Sequence, residues 1–103
     1  MIDEIYTHFE KEYPREGCGI ITEEEKFIPC KNISEDPDTF RFCPEEYINL
    51  LFKHKIKAIV HSHINGSNEA SEADLLLCKT LNLPYYIFTY PEMALNIVKP
   101  EEV

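Results

Sequence analysis

The segment IKAIVHSHINGSNEASEAD, residues 56–74, governs the reading of the whole chain. Its opening, Ile56-Lys57-Ala58-Ile59-Val60, contains no breaker and is apolar at nearly every position. Such a run predicts a central strand over residues 56–62, covered on both faces. Its end, Ser71-Glu72-Ala73-Asp74, predicts a helix start, because a serine N-cap followed three residues later by an acid is close to a capping box. The helix that follows has Leu75, Leu77, Cys78 and Leu81 as its inner face and stops before Pro84.

Further elements follow on either side. Ile2, Ile5, Tyr6, Phe9 and Tyr13 fall at helical spacing, which predicts an amphipathic helix over residues 2–13, stopped by Pro14. Two short β-prone runs, Gly17 to Thr22 and Lys26 to Cys30, flank a glutamate turn and read as a hairpin, with Pro29 placing the second at an edge or bulge. Asn32 to Asp38 is loop chemistry, and Phe40-Arg41-Phe42 alternates like another short strand. Pro44 with Glu45 and Glu46 opens a second helix, whose predicted buried face is Tyr47, Ile48, Leu51 and Phe52. Residues 85–90 and 94–99 read as two final strands. The order predicts a single-domain α/β sandwich, a mixed sheet flanked by about three helices.

Composition narrows the function. A chain of 103 residues with 44% hydrophobic and 12% aromatic residues and only 3 glycines reads as one globular domain. Acidic residues number 19 against 10 basic, a net charge of −9, which repels a phosphate backbone and leaves no basic stripe for nucleic acid to follow. The acidic start Met1-Ile2-Asp3-Glu4 does not resemble a signal peptide, and no apolar run approaches membrane-spanning length. Cys18, Cys30, Cys43 and Cys78 form no C-x-x-C pair, so they read as small buried residues in a reducing compartment. The expectation is a cytoplasmic protein with no membrane and no nucleic-acid partner.

The chemistry concentrates in the opening segment. Alternation along a strand sends His61 and His63 to the same side, their backbones about 6.5–7 Å apart. Two imidazoles so placed can share an ion, and equally can be no more than a polar strand end. Asp74, in the first turn of the next helix, points back toward that end and offers a third ligand. Two histidines and one carboxylate leave a fourth position open, as in catalytic zinc sites, and nitrogen ligands favour zinc over magnesium. Ser71 as a cap uses its oxygen as an acceptor and keeps its proton for a developing oxyanion, while Asp74 is expected to serve the metal instead of the cap. Hydrolysis also needs a proton carrier. Glu69 and Glu72 read as solvated, whereas Glu16, beside a strand headed for the core, is harder to explain as surface charge.

Glu16, then His61-Ser62-His63, seven residues, Ser71, two residues and Asp74 resemble the JAMM (MPN+) metalloprotease motif, E…H-S/T-H-x7-S-x2-D. The stretches YPREGCGII and HSHINGSNEASEADLLLCKTLNLPYYIFTYP look like the short prokaryotic JAB-type domains, particularly those of phage tail-assembly proteins. The resemblance implies a cytidine-deaminase-like fold and a zinc peptidase or isopeptidase acting on a polypeptide, in phage tail-type processing or in removing a small protein modifier. It implies His61, His63 and Asp74 as ligands of one zinc ion, Glu16 as general acid/base and Ser71 as the oxyanion donor. Ile64 stands where many bacterial relatives have proline, and Gly17 replaces a commoner larger residue after Glu16. The chain is short for the insertions that bind ubiquitin in eukaryotic relatives.

Other classes fit less well. A noncatalytic scaffold of the same fold that keeps a zinc site is the alternative, although such scaffolds usually lose ligands. A zinc deaminase needs His-x-Glu and Pro-Cys-x-x-Cys, which this chain lacks. A metallo-β-lactamase-like site wants H-x-H-x-D-H, and Asn65-Gly66 stands where its last two residues belong.

Overall fold

The computed structural model describes residues 1–103. Helix α1 spans Ile2–Glu12, strands β1 Cys18–Thr22 and β2 Phe27–Cys30, helix α2 Pro44–Lys53, strand β3 Ile56–His63 and helix α3 Glu72–Leu81; strands β4 Tyr85–Thr89 and β5 Leu95–Val98 complete the sheet. The strand order is β2-β1-β3-β4-β5, with β3 at the centre as its unbroken apolar run predicts. The sheet is mixed: β3 and β4 are parallel, joined through α3, and the other pairings are antiparallel. Pro29 lies on edge strand β2, where a missing amide is tolerated.

Each face of the sheet has its own core. Ile5 and Phe9 of α1 pack on Ile21, Phe27, Ala58, Val60 and Phe88. On the opposite face, Leu50 of α2 and Cys78 of α3 join Cys18, Ile20, Ile59, Tyr85 and Ile87. The radius of gyration, 12.4 Å, is that of one compact unit. No helix is long and apolar enough to cross a membrane. All four cysteines are free, and burial pushes the thiol of Cys30 up to about 12, so it behaves as an inert apolar group.

Two sequence expectations need correction. Phe40-Arg41-Phe42 forms no strand; only an isolated bridge joins Phe42 to Asn32. The alternation is still obeyed, with Phe40 buried and Arg41 exposed, but the Arg41 amide donates to the Asn32 side chain instead of to a neighbouring strand. In α2 the predicted inner face is mostly outside: Ile48, Leu51 and Phe52 are exposed, Phe52 at 86%, while Leu50 is buried and Tyr47 half-buried. Apolar residues wrap most of this helix, so spacing alone selects no face. The Phe42 ring stacked on Tyr47, centroids 5.3 Å apart, turns the Tyr47–Leu50 side inward.

Candidate metal centre

The site lies at the C-terminal end of β3, and three local features bring its groups together. Within β3, alternation places Ile59, His61 and His63 on the α2/α3 face and Ala58, Val60 and Ser62 on the other. Antiparallel pairing sets Cys18 opposite His61. Continuing that register by two residues carries Glu16 to the level of His63 on the same face. Ser62 secures this segment, since its amide donates to the Gly17 carbonyl at 3.0 Å and its hydroxyl accepts from the Gly17 amide at 2.8 Å. That gives the small residue between the two histidines a structural job. Gly17 is small for a reason as well: a Cβ there would meet the Phe9 ring at 2.6 Å.

Helix α3 brings Asp74. Its N-cap, Ser71, forms a complete capping box: the Ser71 hydroxyl accepts from the Asp74 amide at 3.1 Å, and Asp74 Oδ2 accepts from the Ser71 amide at 3.0 Å. Asp74 was expected to leave the cap to the serine. Instead its carboxylate does both, and the cap fixes the plane in which the acid faces the histidines. Asp74 Oδ1 stands 3.1 Å from His61 Nε2, and Oδ2 stands 3.1 Å from His63 Nε2. Glu16 Oε1 lies 3.2 Å from His61 Nδ1. Glu16, His61, His63 and Asp74 are all buried, whereas Ser71 is exposed beside them. All five residues singled out in the sequence thus meet in one place.

The donor set fits a metal ion. One ligand atom from each of Glu16, His61 and His63 falls within 4.8 Å of the others, and Asp74 faces both rings. The 3.1 Å spacings approach the edge of a tetrahedron with zinc–ligand bonds of about 2.0 Å, roughly 3.3 Å. His63 Nδ1 donates to the Ser67 carbonyl at 3.0 Å, because a carbonyl can only accept. The other nitrogen of His63, Nε2, faces Asp74 Oδ2 at 3.1 Å, where a proton or a metal ion can join the two. The same holds for His61. Both its ring nitrogens are buried with no partner in hydrogen-bond alignment, even though carboxylate oxygens crowd both. Glu16 faces its Nδ1 and Asp74 its Nε2, so the two carboxylates flank the ring at different nitrogens, and it is the Nε2 atoms of both histidines that face the Asp74 carboxylate.

Electrostatics agree. Burial disfavours the His61 imidazolium, but the neighbouring Asp74 and Glu16 outweigh it and push its pKa from 6.5 up to about 9. Burial also works against the Asp74 carboxylate, yet contacts with His61, His63 and the Ser71 amide hold its pKa well below the usual range. Glu16 goes the other way: burial raises its pKa above 4.5 despite the opposing pull of His61. Of the two acids, Glu16 is therefore the one suited to exchanging protons.

Sequence reasoning missed Asn32 and Phe40. The Asn32 amide uses its full bonding capacity: Nδ2 donates to the carbonyls of Glu16 and Thr39, and Oδ1 accepts from the amides of Ser34 and Arg41. It ties the Glu16 backbone to the segment that lays Phe40 on His61, ring centroids 4.5 Å apart. Neither contact has a local signal, since the partners come from distant parts of the chain. The groups open into a cavity of about 430 Å³ whose lining includes Glu16, His63, Ser71 and Asp74.

The model of the Prok-JAB family, prokaryotic homologs of the JAB domain, matches residues 1–98. The chain belongs to the Prok-JAB family. This Prok-JAB chain is 37% identical to tail tip assembly protein K of Escherichia phage N15 over 103 residues, covering 96% of the chain and 42% of the phage protein. It thus spans less than half of that relative. Among solved structures, a Desulfitobacterium hafniense protein matches with a TM-score of 0.70 at 20% identity, over 95% of this chain and 75% of that one. A JAB1/MPN domain protein of Archaeoglobus fulgidus matches with a TM-score of 0.61 at 20% identity, over 98% and 85%. At such identities the likeness is one of fold, and it makes the Prok-JAB domain JAB/MPN-like in architecture.

Proposed function

We propose that the chain is a zinc-dependent peptidase or isopeptidase in which His61, His63 and Asp74 hold the metal. The observation that carries this reading is the pair of imidazole Nε2 atoms facing the two oxygens of one capped carboxylate, with the buried Glu16 against the same ring. Bound there, zinc would supply a Lewis acid for the scissile carbonyl and would lower the pKa of an adjacent water toward about 7. Glu16 takes the proton from that water as its oxygen bonds to the carbonyl carbon, and gives a proton to the amine as the carbon–nitrogen bond breaks. Its raised pKa lets it hold and release that proton. Ser71 keeps its hydroxyl proton, because the cap uses only its oxygen, and can donate to the developing oxyanion. His63 stays in the tautomer that ligates through Nε2 because Nδ1–H is tied to Ser67. The likeness to a tail tip assembly protein supports a polypeptide substrate processed during phage-type tail assembly. Four free thiols support the cytoplasm as its place of action.

Bound zinc and hydrolysis of a fluorogenic peptide library, measured for wild type, Asp74→Asn and Glu16→Gln, test this. Loss of an outer partner of a ligand costs roughly 10–100-fold in metal affinity, so Asp74→Asn is expected to lose more than about 100-fold and all turnover. Glu16→Gln is expected to keep zinc within a few-fold while turnover falls about 10²- to 10⁴-fold. Wild-type protein that takes up no zinc from zinc-replete medium sinks the proposal. Zinc-loaded wild type no more active than Glu16→Gln makes the chain a scaffold that retains a metal.

A further inference from the structure

Beside the metal centre lies a second, drier cavity that the chemistry above does not use. Its volume is about 220 Å³, and six of its eight lining residues are hydrophobic, among them Phe40, Phe42, Tyr47, Leu77, Leu81 and Tyr85. Phe40 and Leu77 also line the cavity that holds Glu16, His63 and Asp74, so the two spaces share a wall. An aromatic run links them: Phe40 lies on His61 at 4.5 Å, Phe42 meets Phe40 edge-on at 5.3 Å, and Tyr47 stacks on Phe42 at 5.3 Å. Volume selects the kind of occupant. Sites for whole small molecules begin at about 300 Å³, so this one suits a single side chain. Its lining of rings favours a ring, because edge-to-face and offset contacts add to simple burial. The Tyr85 hydroxyl, buried in the wall, has no hydrogen-bond partner.

We propose that this pocket seats an aromatic side chain of the polypeptide substrate, from a residue next to the bond that is cut. The assignment rests on the peptidase reading: a chain whose scissile carbonyl lies among Glu16, His63 and Asp74 places a neighbouring side chain across the Phe40–Leu77 wall. The metal-binding groups act on any peptide bond, whereas this pocket chooses which one.

The test titrates N-acetyl-L-phenylalaninamide, with N-acetyl-L-alaninamide as control, into the zinc-loaded, ¹⁵N-labelled full chain. Saturable shifts are expected at the amides of Phe42, Tyr47 and Leu81, with the phenylalanine probe binding about 10-fold tighter or more, as burial of a phenyl ring implies. Leu81→Trp, which fills the pocket, and Phe42→Ala, which removes a wall, are each expected to abolish the difference between probes. A variant that unfolds is recognised by its amide spectrum, and the other then carries the comparison. Equal shifts with both probes, or an unchanged preference in a folded Leu81→Trp, overturn the proposal. The Asp74→Asn protein separates the two readings, because its pocket is intact: it is expected to keep the probe preference while losing zinc. In turnover, peptides with phenylalanine beside the cut bond are expected to exceed alanine peptides about 10- to 100-fold in kcat/KM. Cleavage without that preference overturns the pocket alone, whereas absence of all cleavage strikes at the peptidase reading.

Discussion

On the α1 face of the sheet, Ile5 and Phe9 close over Ile21, Phe27, Ala58, Val60 and Phe88, a buried set made entirely of hydrocarbon side chains, with Tyr86 and Tyr90 half-buried at its edge. On the α2/α3 face, alternate residues of the same strand bury His61 and His63 against Asp74 and Glu16. The contrast teaches that one strand serves two purposes because its side chains alternate. Both faces secure the sheet through burial and packing, while the wet face also holds groups that are costly to bury and stable only as a mutually compensating set. If the division is real, damage to one face leaves the other's property largely intact.

The largest expected effect tests that division from the dry side. Phe9 is 1% exposed, and Phe9→Ala is expected to cost about 3–5 kcal/mol of unfolding free energy, measured by chemical denaturation. Zinc affinity of the folded fraction is expected to stay within a few-fold. Loss of zinc from folded Phe9→Ala would break the comparison, and the route is visible: Phe9 packs on Gly17, next to Glu16.

A proton sharpens the comparison from the wet side. In the metal-free protein His61 has its pKa raised from 6.5 to about 9, so it contributes stability fully present below 6.5 and lost as pH rises through about 9. Asp74, with its pKa lowered, contributes stability present above its ordinary 3.8 and lost as pH falls. Metal-free protein, held in chelator, is therefore expected to lose stability between pH 6.5 and about 9. On the proposed ligand set zinc would displace the His61 proton, so its apparent affinity is expected to rise about tenfold per pH unit over that interval, with close to one proton released per ion at pH 7.5. Calorimetry in buffers of different ionisation enthalpy measures that proton. Zinc uptake without proton release at pH 7.5 would show that His61 is not the ligand it displaces. The hydrocarbon side chains buried on the dry face carry no proton to exchange and predict none of this.

How much could be read in the sequence depended on how far apart the cooperating residues lie. His61, His63, Ser71 and Asp74 fall within 14 residues, and strand alternation with a helix cap is enough to aim them together. Glu16 joins them only through the Cys18–His61 register, a pairing across the sheet that no local pattern encodes. The place of Glu16 beside a strand headed for the core marked it as a candidate, and only the motif tied it to the histidines. The inner face of α2 was misread because apolar residues at 47, 48, 50, 51 and 52 surround the helix, and a contact with Phe42 settles which of them turn inward. Asn32 was invisible for the same reason at longer range: its four hydrogen bonds join the Glu16 segment to residues 34–41. Alternation and capping are properties of neighbours, whereas register and network closure belong to the folded chain.

The smallest effect falls on the residue that belongs to both descriptions. Ser71 caps α3 with its hydroxyl oxygen, while its backbone amide, which every substitution but proline retains, holds Asp74 Oδ2. Ser71→Ala is therefore expected to cost about 1 kcal/mol of stability through the lost cap, and Ser71→Thr, which keeps a hydroxyl, less. Zinc affinity is expected to be unchanged in both, because the carboxylate keeps its backbone anchor. Under those conditions a fall in turnover for Ser71→Ala that Ser71→Thr recovers reports on the hydroxyl proton alone. A marked loss of zinc in Ser71→Ala would instead show that the cap, and not the amide, sets the plane of the Asp74 carboxylate, and that helix stability and metal binding are one property at this corner of the sheet.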